Sequence, residues 1–301
     1  MNFSFSDEQR LFQRTVREFL EKECPPERVR AAERGEAGWS FERWRGLAEL
    51  GVVGLTVPEA HGGLGKDETD LVLLLEEVGR AALPEPLEQT TAVVVPLLNG
   101  MEALEAAPEA LSDIAAGSAI ATYEREQEGA FTLTFIRPDG TRHGLAGAEA
   151  RIGADEDPAF DRAAFAASAV LCGIADRVIE LAASYAKERH QFGKPIGSFQ
   201  AVKHLLADAL LGLEFARPAV YRAAWSIATD AQDRGRDASM AKALSSEAAM
   251  NACRSALQVH GAIGYTHEHD LHLWLTKGFT LAHAWGTATW HRERVARAML
   301  D

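Results

Sequence analysis

From residue 160 to the end of the chain the apolar residues recur with almost uninterrupted helical spacing, and this restricts the fold more than any other feature of the sequence. One long Ala-rich segment, residues 161–188, carries Val170, Ile174, Val178 and Leu181 along one face. Further helices are predicted over 198–230, 236–259 and 267–283, with a last one from 285. Segments of that length must bury their apolar stripes against one another, so the C-terminal half reads as a long-helix bundle. The N-terminal part is helical in shorter pieces. Ser6 and Gln9 form the two ends of a capping box ahead of Leu11, Phe12, Val16, Phe19 and Leu20, and Pro25-Pro26 ends that helix. Helices follow from Phe41 to Leu50, from about Glu68 to Arg80, and in two pieces over 88–117.

Only the middle breaks the pattern. Ala130 to Ile136 alternates with period two, Arg137-Pro138-Asp139-Gly140 reads as a turn, and His143 to Ile152 reads as a return strand. So short a stretch makes no barrel or sandwich of its own and must lean on helices or on another chain. The expected fold is therefore mainly α, with an N-terminal helical domain at 1–117, a reduced β hairpin region at 118–157 and a four-helix-bundle domain at 158–301.

Charge narrows the partners. A net charge of −13 argues against nucleic acid or an anionic membrane surface, because both need a basic patch. No apolar run reaches the length of a membrane span, and MNFSFSDEQR lacks the basic and apolar regions of a signal peptide. Three widely spaced cysteines, Cys24, Cys172 and Cys253, suit a reducing compartment, and a cytoplasmic location is expected.

Two segments carry candidate chemistry. The loop Arg189-His190-Gln191-Phe192-Gly193-Lys194-Pro195-Ile196 joins two long helices, and its guanidinium could clamp a pyrophosphate through paired donors. On spacing alone it reads equally as a solvated basic helix end favourable to the helix dipole. The run Gln258-Val259-His260-Gly261-Ala262-Ile263-Gly264-Tyr265 ends a helix with two glycines three apart, which frees backbone amides for a ligand or simply caps the helix.

Taken with their flanks, these segments resemble the acyl-CoA dehydrogenase family. The N-terminal part matches in Trp44 with Leu47-Ala48-Glu49-Leu50-Gly51, in Val57-Pro58-Glu59 with Gly62-Gly63 and Gly65, and in Glu76-Glu77 with Gly79-Arg80. The C-terminal part matches in Tyr185-Ala186, Glu188-Arg189, Gln191-Phe192-Gly193, Pro195-Ile196 and Phe199-Gln200, then in Leu257 to Gly261, Gly264-Tyr265-Thr266 and Glu268. Together they cover residues 1–90 and 160–301 in the family's order.

The resemblance implies helical domains around a β domain, with FAD lying between two subunits. One subunit holds the flavin ring and substrate, and its neighbour supplies a cradle for the ADP half. The residues matching that cradle are Arg189 on the pyrophosphate, Phe192 near it, Gln200, and Gln258, Val259, His260, Gly261 and Ala262 around the adenosine. The family's usual Gly-Gly reads Gly261-Ala262, which is tolerable if the φ of Ala262 is negative.

Two absences accompany the match. The family abstracts an α-proton with a carboxylate placed just before Gly-Thr, and here Trp285 precedes Gly286-Thr287; indole offers only an N–H donor. The position some relatives use instead, early in the long helix, falls at Ala163 after Asp161-Arg162. The strand-rich flavin-covering middle is also missing. No catalytic residue is therefore assigned, and no metal is expected at His267, His269 and His272, because the family binds none there.

The pattern is similar to the short subunits of heteromeric α₂β₂ acyl-CoA dehydrogenases of bacteria that shorten steroid side chains. It implies a full-length partner holding base, flavin pocket and most of the acyl-CoA, and electron transfer to an electron-transfer flavoprotein. Two other readings stand beside it: a self-sufficient homo-oligomer using Asp161 or Glu268 as base, although Glu268 matches a structural glutamate of the family, and a helical interaction protein without flavin.

Overall fold

The computed structural model describes residues 4–35, 39–101, 106–125, 131–145 and 158–300. The helix α1 (Asp7–Glu23) opens on the expected capping box, with Ser6 and Gln9 each bonding the other's backbone N–H. The next helix, α2 (Pro26–Arg34), was not legible as one: Pro26 sits at its first turn, where a missing N–H costs nothing, and Val29 is its buried anchor. Then come α3 (Phe41–Glu49), capped by Ser40, and α4 (Glu68–Arg80), capped by Asp67.

The segment after Pro86 is a short α5 (Leu87–Gln89), a π-helical turn Thr90–Val94 and α6 (Val95–Asn99). Three threonine hydroxyls serve this stretch: Thr90 donates to Ala121 O at 2.6 Å, Thr91 to Leu87 O at 2.7 Å and Thr56 to Thr91 O at 2.7 Å. α7 (Ala107–Ala115) completes the N-terminal helices.

The middle is a three-stranded antiparallel sheet in the order β1 (Ile120–Arg125), β2 (Phe131–Ile136), β3 (Arg142–Leu145). The hairpin read from sequence therefore gains a strand: β1 pairs Ile120 with Ile136 and Tyr123 with Leu133. Its alternation was obscured because Ile120 and Ala121 are both buried against the helices. The return strand covers Arg142–Leu145, and the remainder of its expected span to Ile152 lies outside the described residues.

The bundle consists of α8 (Pro158–Glu188), α9 (Gln200–Ala228), α10 (Arg234–His260), α11 (Leu271–His283) and α12 (Ala288–Leu300). α11 starts at Leu271 rather than at 267, because the Leu271 N–H is taken by the His269 ring and the chain turns there.

The helical units share one apolar core, and α4 meets α8 at backbone distance. A Cβ on Gly79 would lie 2.0 Å from Val170 O, and one on Gly173 would lie 1.8 Å from Glu76 O. Glycine is required at both positions for the helices to approach this closely. Arg80 pairs across this seam with Asp176 and with Glu180, and Trp274 Nε1 of α11 donates to Arg80 O at 2.8 Å. A second buried tie, Arg43 bidentate on Glu85, fixes α3 to the turn after α4. Among the described residues no helix is long and apolar enough to cross a membrane.

Candidate functional site

The C-terminal ends of α8 and α10 lie at the same end of the bundle, where Tyr185 stacks on His260 with centroids 4.5 Å apart. One turn beyond Tyr185 the chain leaves α8 and makes a two-residue hairpin, β4 (His190–Gln191) and β5 (Lys194–Pro195), within what the sequence left as a polar loop. Both tip residues have positive φ, Phe192 at 51° and Gly193 at 76°, the signature of a type I′ turn. A phenylalanine in this region is uncommon, and Phe192 is 92% exposed with only an edge contact to Phe199. The hairpin thus projects a rigid aromatic outward. α9 begins immediately after it, so Gln200 lies at the same end.

The second segment closes α10. Gly261 adopts φ 64° and ψ −140°, a conformation in practice restricted to glycine, and Gly261–Tyr265 follows as a 3₁₀ turn. Ala262 has no positive φ, so the condition for alanine replacing the family's second glycine is met. The side chains of Val259 and His260 point inward and are buried, so only their backbone can face a ligand. The His260 ring donates Nδ1–H to Ala256 O at 2.7 Å, and burial first, with the adjacent His269 ring adding to it, holds its pKa below the usual histidine value.

Arg189, Gln200, Gln258 and Ala262 are exposed at this end. Among the described residues none of the side chains of Arg189, Gln200 or Gln258 has a hydrogen-bond or ionic partner within the chain. A free guanidinium, two free amides, an exposed aromatic and the N-terminus of a long helix make a surface suited to an anionic, partly aromatic ligand approached from outside.

The place where a base was sought is built differently. Trp285 has φ 57°, and its half-buried ring lies 5.7 Å from Tyr123 and 6.4 Å from Phe160. Tyr123 in turn packs on Phe131, and Phe160 on Trp290. The backbone beside Trp285 is held by two groups that the sequence reading passed over. His291, fully buried, donates Nε2–H to Trp285 O at 2.7 Å, and its Nδ1 has no partner among the described residues. Lys242, also fully buried, donates to Ser246 Oγ at 3.1 Å, Ala282 O at 3.1 Å and Gly286 O at 3.2 Å.

Burial pushes the Lys242 pKa down to about 8. Burial, then the nearby Lys242 and Arg294 charges, pull His291 down to about 4 against the bond to Trp285. The only sequence signal for either was a lysine amid Ala and Ser on a bundle helix and a histidine six residues after Trp285.

The other positions considered for a base sit away from Trp285 or are already engaged. Asp161 is buried in a two-pronged ion pair with Arg294. Ala163 is buried in the core, and Glu268 is exposed at the other end of α11 from Trp285. The arrangement can bind and orient; the described residues around Trp285 present no carboxylate available for proton abstraction.

The family model described as acyl-CoA dehydrogenase, N-terminal domain, matches residues 6–117, and that described as acyl-CoA dehydrogenase, C-terminal domain, matches 158–300. The chain is 34% identical to acyl-CoA dehydrogenase IpdE2 of Mycolicibacterium smegmatis, covering 97% of this chain and 98% of that protein. It is 32% identical to IpdE2 of Mycobacterium tuberculosis, covering 90% and 91%. Among solved structures, the Tcur3481-Tcur3483 steroid ACAD G363A variant superposes with TM-score 0.81 at 25% identity over 98% of both chains. The ChsE4-ChsE5 complex of Mycobacterium tuberculosis does so with TM-score 0.81 at 20% identity, over 100% of this chain and 99% of that one, a likeness of fold. With both family domains matched in order and a relative aligned over nearly its whole length, the chain belongs to the acyl-CoA dehydrogenase family.

Proposed function

We propose that this chain is a half-site subunit of an FAD-dependent acyl-CoA dehydrogenase, active in α,β-desaturation of a CoA thioester only in a heteromeric complex. The observation that carries the reading is Trp285, which stands where relatives carry the base and is packed against Tyr123 and Phe160. Against this closed position stands the open end of the bundle, where Arg189, Phe192, Gln200 and the Gln258–Ala262 turn are exposed or present backbone. FAD fits these groups: Arg189 would hold the pyrophosphate, with the α9 N-terminus beside it, and the Gln258 amide with the backbone through Ala262 would hold the adenosine. Bound FAD would supply hydride acceptance, and this chain's own residues would bind and orient its ADP half.

The partner is a full-length acyl-CoA dehydrogenase subunit in an α₂β₂ assembly, holding base, flavin ring and most of the acyl-CoA. The steroid ACAD among the solved structures similar to this chain favours a steroid-derived acyl group. Electrons pass to an electron-transfer flavoprotein, and the complex works in the cytoplasm.

The test is purification of the chain alone and with a co-expressed full-length dehydrogenase subunit, followed by a visible spectrum and flavin count. The chain alone is expected to be colourless or poorly soluble, and the complex yellow and active. Stoichiometric FAD with turnover in the chain alone would reject the half-site reading in favour of a self-sufficient enzyme.

A further inference from the structure

The groups exposed at the open end of the bundle sit on two arms that leave different helices. One arm leaves α8 and carries Arg189, Phe192 and, at the start of α9, Gln200; the other closes α10 and carries Gln258 and the backbone of Gly261 and Ala262. Each arm is braced within itself. In the first, Arg189 N donates to Tyr185 O at 2.9 Å and Ile196 N to Arg189 O at 2.8 Å. In the second, the His260 ring donates Nδ1–H to Ala256 O at 2.7 Å. The turn then folds back on His260, so closely that a Cβ on Gly264 would lie 3.0 Å from His260 Cβ.

Between the arms, among the described residues, no hydrogen bond or ion pair joins 187–200 to 256–266. The tie at this level is aromatic. The Tyr185 ring, in the last turn of α8, stacks on the His260 ring with centroids 4.5 Å apart and planes 26° apart. The His269 ring closes the cluster edge-on, 4.6 Å from His260 and 6.3 Å from Tyr185.

We propose that Tyr185 is a positioning residue whose ring, stacked on His260, holds the two arms in register so that both can meet one ligand. Tyr185 belongs to both arms at once. Its carbonyl accepts the Arg189 N–H, and its ring bears on the residue that precedes Gly261. Neither partner of the stack is free to swing. Tyr185 is half-buried against the core, and His260 is fixed by its bond to Ala256 O and covered by Gly264. The tyrosine hydroxyl has no hydrogen-bond partner among the described residues, so the ring carries the role and the hydroxyl does not.

A ligand touching one arm alone gains nothing from such a tie. A ligand that spans a pyrophosphate and an adenosine does, because arms already in register need not be ordered when it binds. The consequence for flavin therefore rests on the cradle reading proposed above, whereas the tie itself is a property of this chain.

The test uses the full chain in complex with its full-length subunit and FAD, with assembly verified by size. Hydrogen exchange at 261–266 reads the tie, and the FAD dissociation constant reads the cradle. An aromatic pair of this kind is worth about a two- to tenfold change in an equilibrium. Tyr185→Leu keeps an apolar side chain but removes the flat face, and should speed exchange at 261–266 and weaken FAD, each by about that factor. Tyr185→Phe should restore wild-type values in both readouts. His260→Leu removes the stack from the other side and should repeat the effects of Tyr185→Leu. Unchanged exchange in Tyr185→Leu or His260→Leu, or a Tyr185→Phe complex as impaired as Tyr185→Leu, overturns the tie. FAD weakened by Arg189→Ala but not by Tyr185→Leu leaves the cradle standing and overturns the positioning role. Faster exchange in Tyr185→Leu, with FAD held as in wild type by both Tyr185→Leu and Arg189→Ala, overturns the cradle reading instead.

Discussion

Removing the guanidinium of Arg189 should weaken a flavin held mainly by another chain while leaving this chain's fold intact. The side chain is exposed and has no ionic or hydrogen-bonding partner among the described residues, so its truncation should change folding stability by less than about 0.5 kcal/mol. Its backbone already fixes the hairpin without it: Arg189 N donates to Tyr185 O at 2.9 Å and Ile196 N to Arg189 O at 2.8 Å. On a pyrophosphate, the same side chain would make a bidentate charge-assisted contact that a lysine's point charge does not reproduce. Truncating one such partner at an interface costs roughly 2–5 kcal/mol, or about thirtyfold to several-thousandfold in dissociation constant. Arg189→Ala in the co-expressed complex is therefore expected to lose FAD on dilution, with Arg189→Lys between it and wild type. Flavin content and dissociation constant are measured after size-exclusion chromatography has verified assembly. Variant complexes that assemble normally and hold FAD as tightly as wild type would refute the cradle assignment and favour an interaction protein without flavin.

Gln258→Ala should weaken FAD in the same direction but by about tenfold or less, a neutral hydrogen bond being worth about 1 kcal/mol, read in the same titration. Trp285→Glu should restore no acyl-CoA oxidation to the isolated chain, because a base is useless without a hydride acceptor positioned beside it; turnover in a standard dye-reduction assay would contradict this. Gly173→Ala should destabilise the chain by about 3 kcal/mol or more, since the new methyl meets the Glu76 backbone carbonyl and not a side chain that can move; a denaturant midpoint within error of wild type would show that the α4–α8 contact is looser than described. Acid should also cost stability at His291. Its value of about 4 in the fold lies below the ordinary 6.5, so stability present above pH 6.5 declines as pH falls toward 4, by about 3 kcal/mol in all. His291→Gln should flatten that part of the stability profile in urea titrations between pH 7 and 4.

What the sequence made legible was whatever repeats along a helix or sits in a motif. The long helices α8, α9 and α10 were placed within three residues of their ends, because each carries an apolar stripe over many turns. The start of α11 was misplaced by four residues, since the His269–Leu271 bond that stops the helix is made by a side chain whose role depends on its tautomer. Strand β1 was missed because burial of both Ile120 and Ala121 breaks the alternation that marked β2. The two candidate cradle segments stand out as sequence, yet the sequence did not tell which side chains face out. His260 and Val259 turn inward, and that follows from the phase of α10 against Tyr185, a tertiary fact. Lys242 and His291 were invisible for a related reason. A lone lysine on an Ala-rich helix reads as a solvated residue unless the carbonyls it serves, 40 and 44 residues later, are already in place.

The Trp285 turn also shows where this chain carries strain. A tryptophan in the left-handed region and, among the described residues, a buried lysine with no carboxylate among its bonds and a buried histidine nitrogen without a partner all meet at one corner. Each is unfavourable by roughly 1–3 kcal/mol and persists only where the surroundings over-determine it. In a dehydrogenase that runs its own chemistry, such a corner would hold a carboxylate, and a nearby lysine or imidazolium would bear directly on its protonation. Here the side chain is indole, and the Lys242 ammonium and the neutral His291 ring bond carbonyls that shape the turn. Lys242 and His291 thus bear on the conformation of the turn. If the corner were merely decayed, replacing Lys242 by methionine should relax it, releasing the turn and lowering the strain with no loss elsewhere. If it is a built closure, Lys242→Met should leave Ala282 O and Gly286 O unsatisfied and unpack Trp285 from Tyr123 and Phe160. The tryptophan emission would then shift to the red before global unfolding, and an unchanged spectrum with raised stability would show that the corner has no holding role.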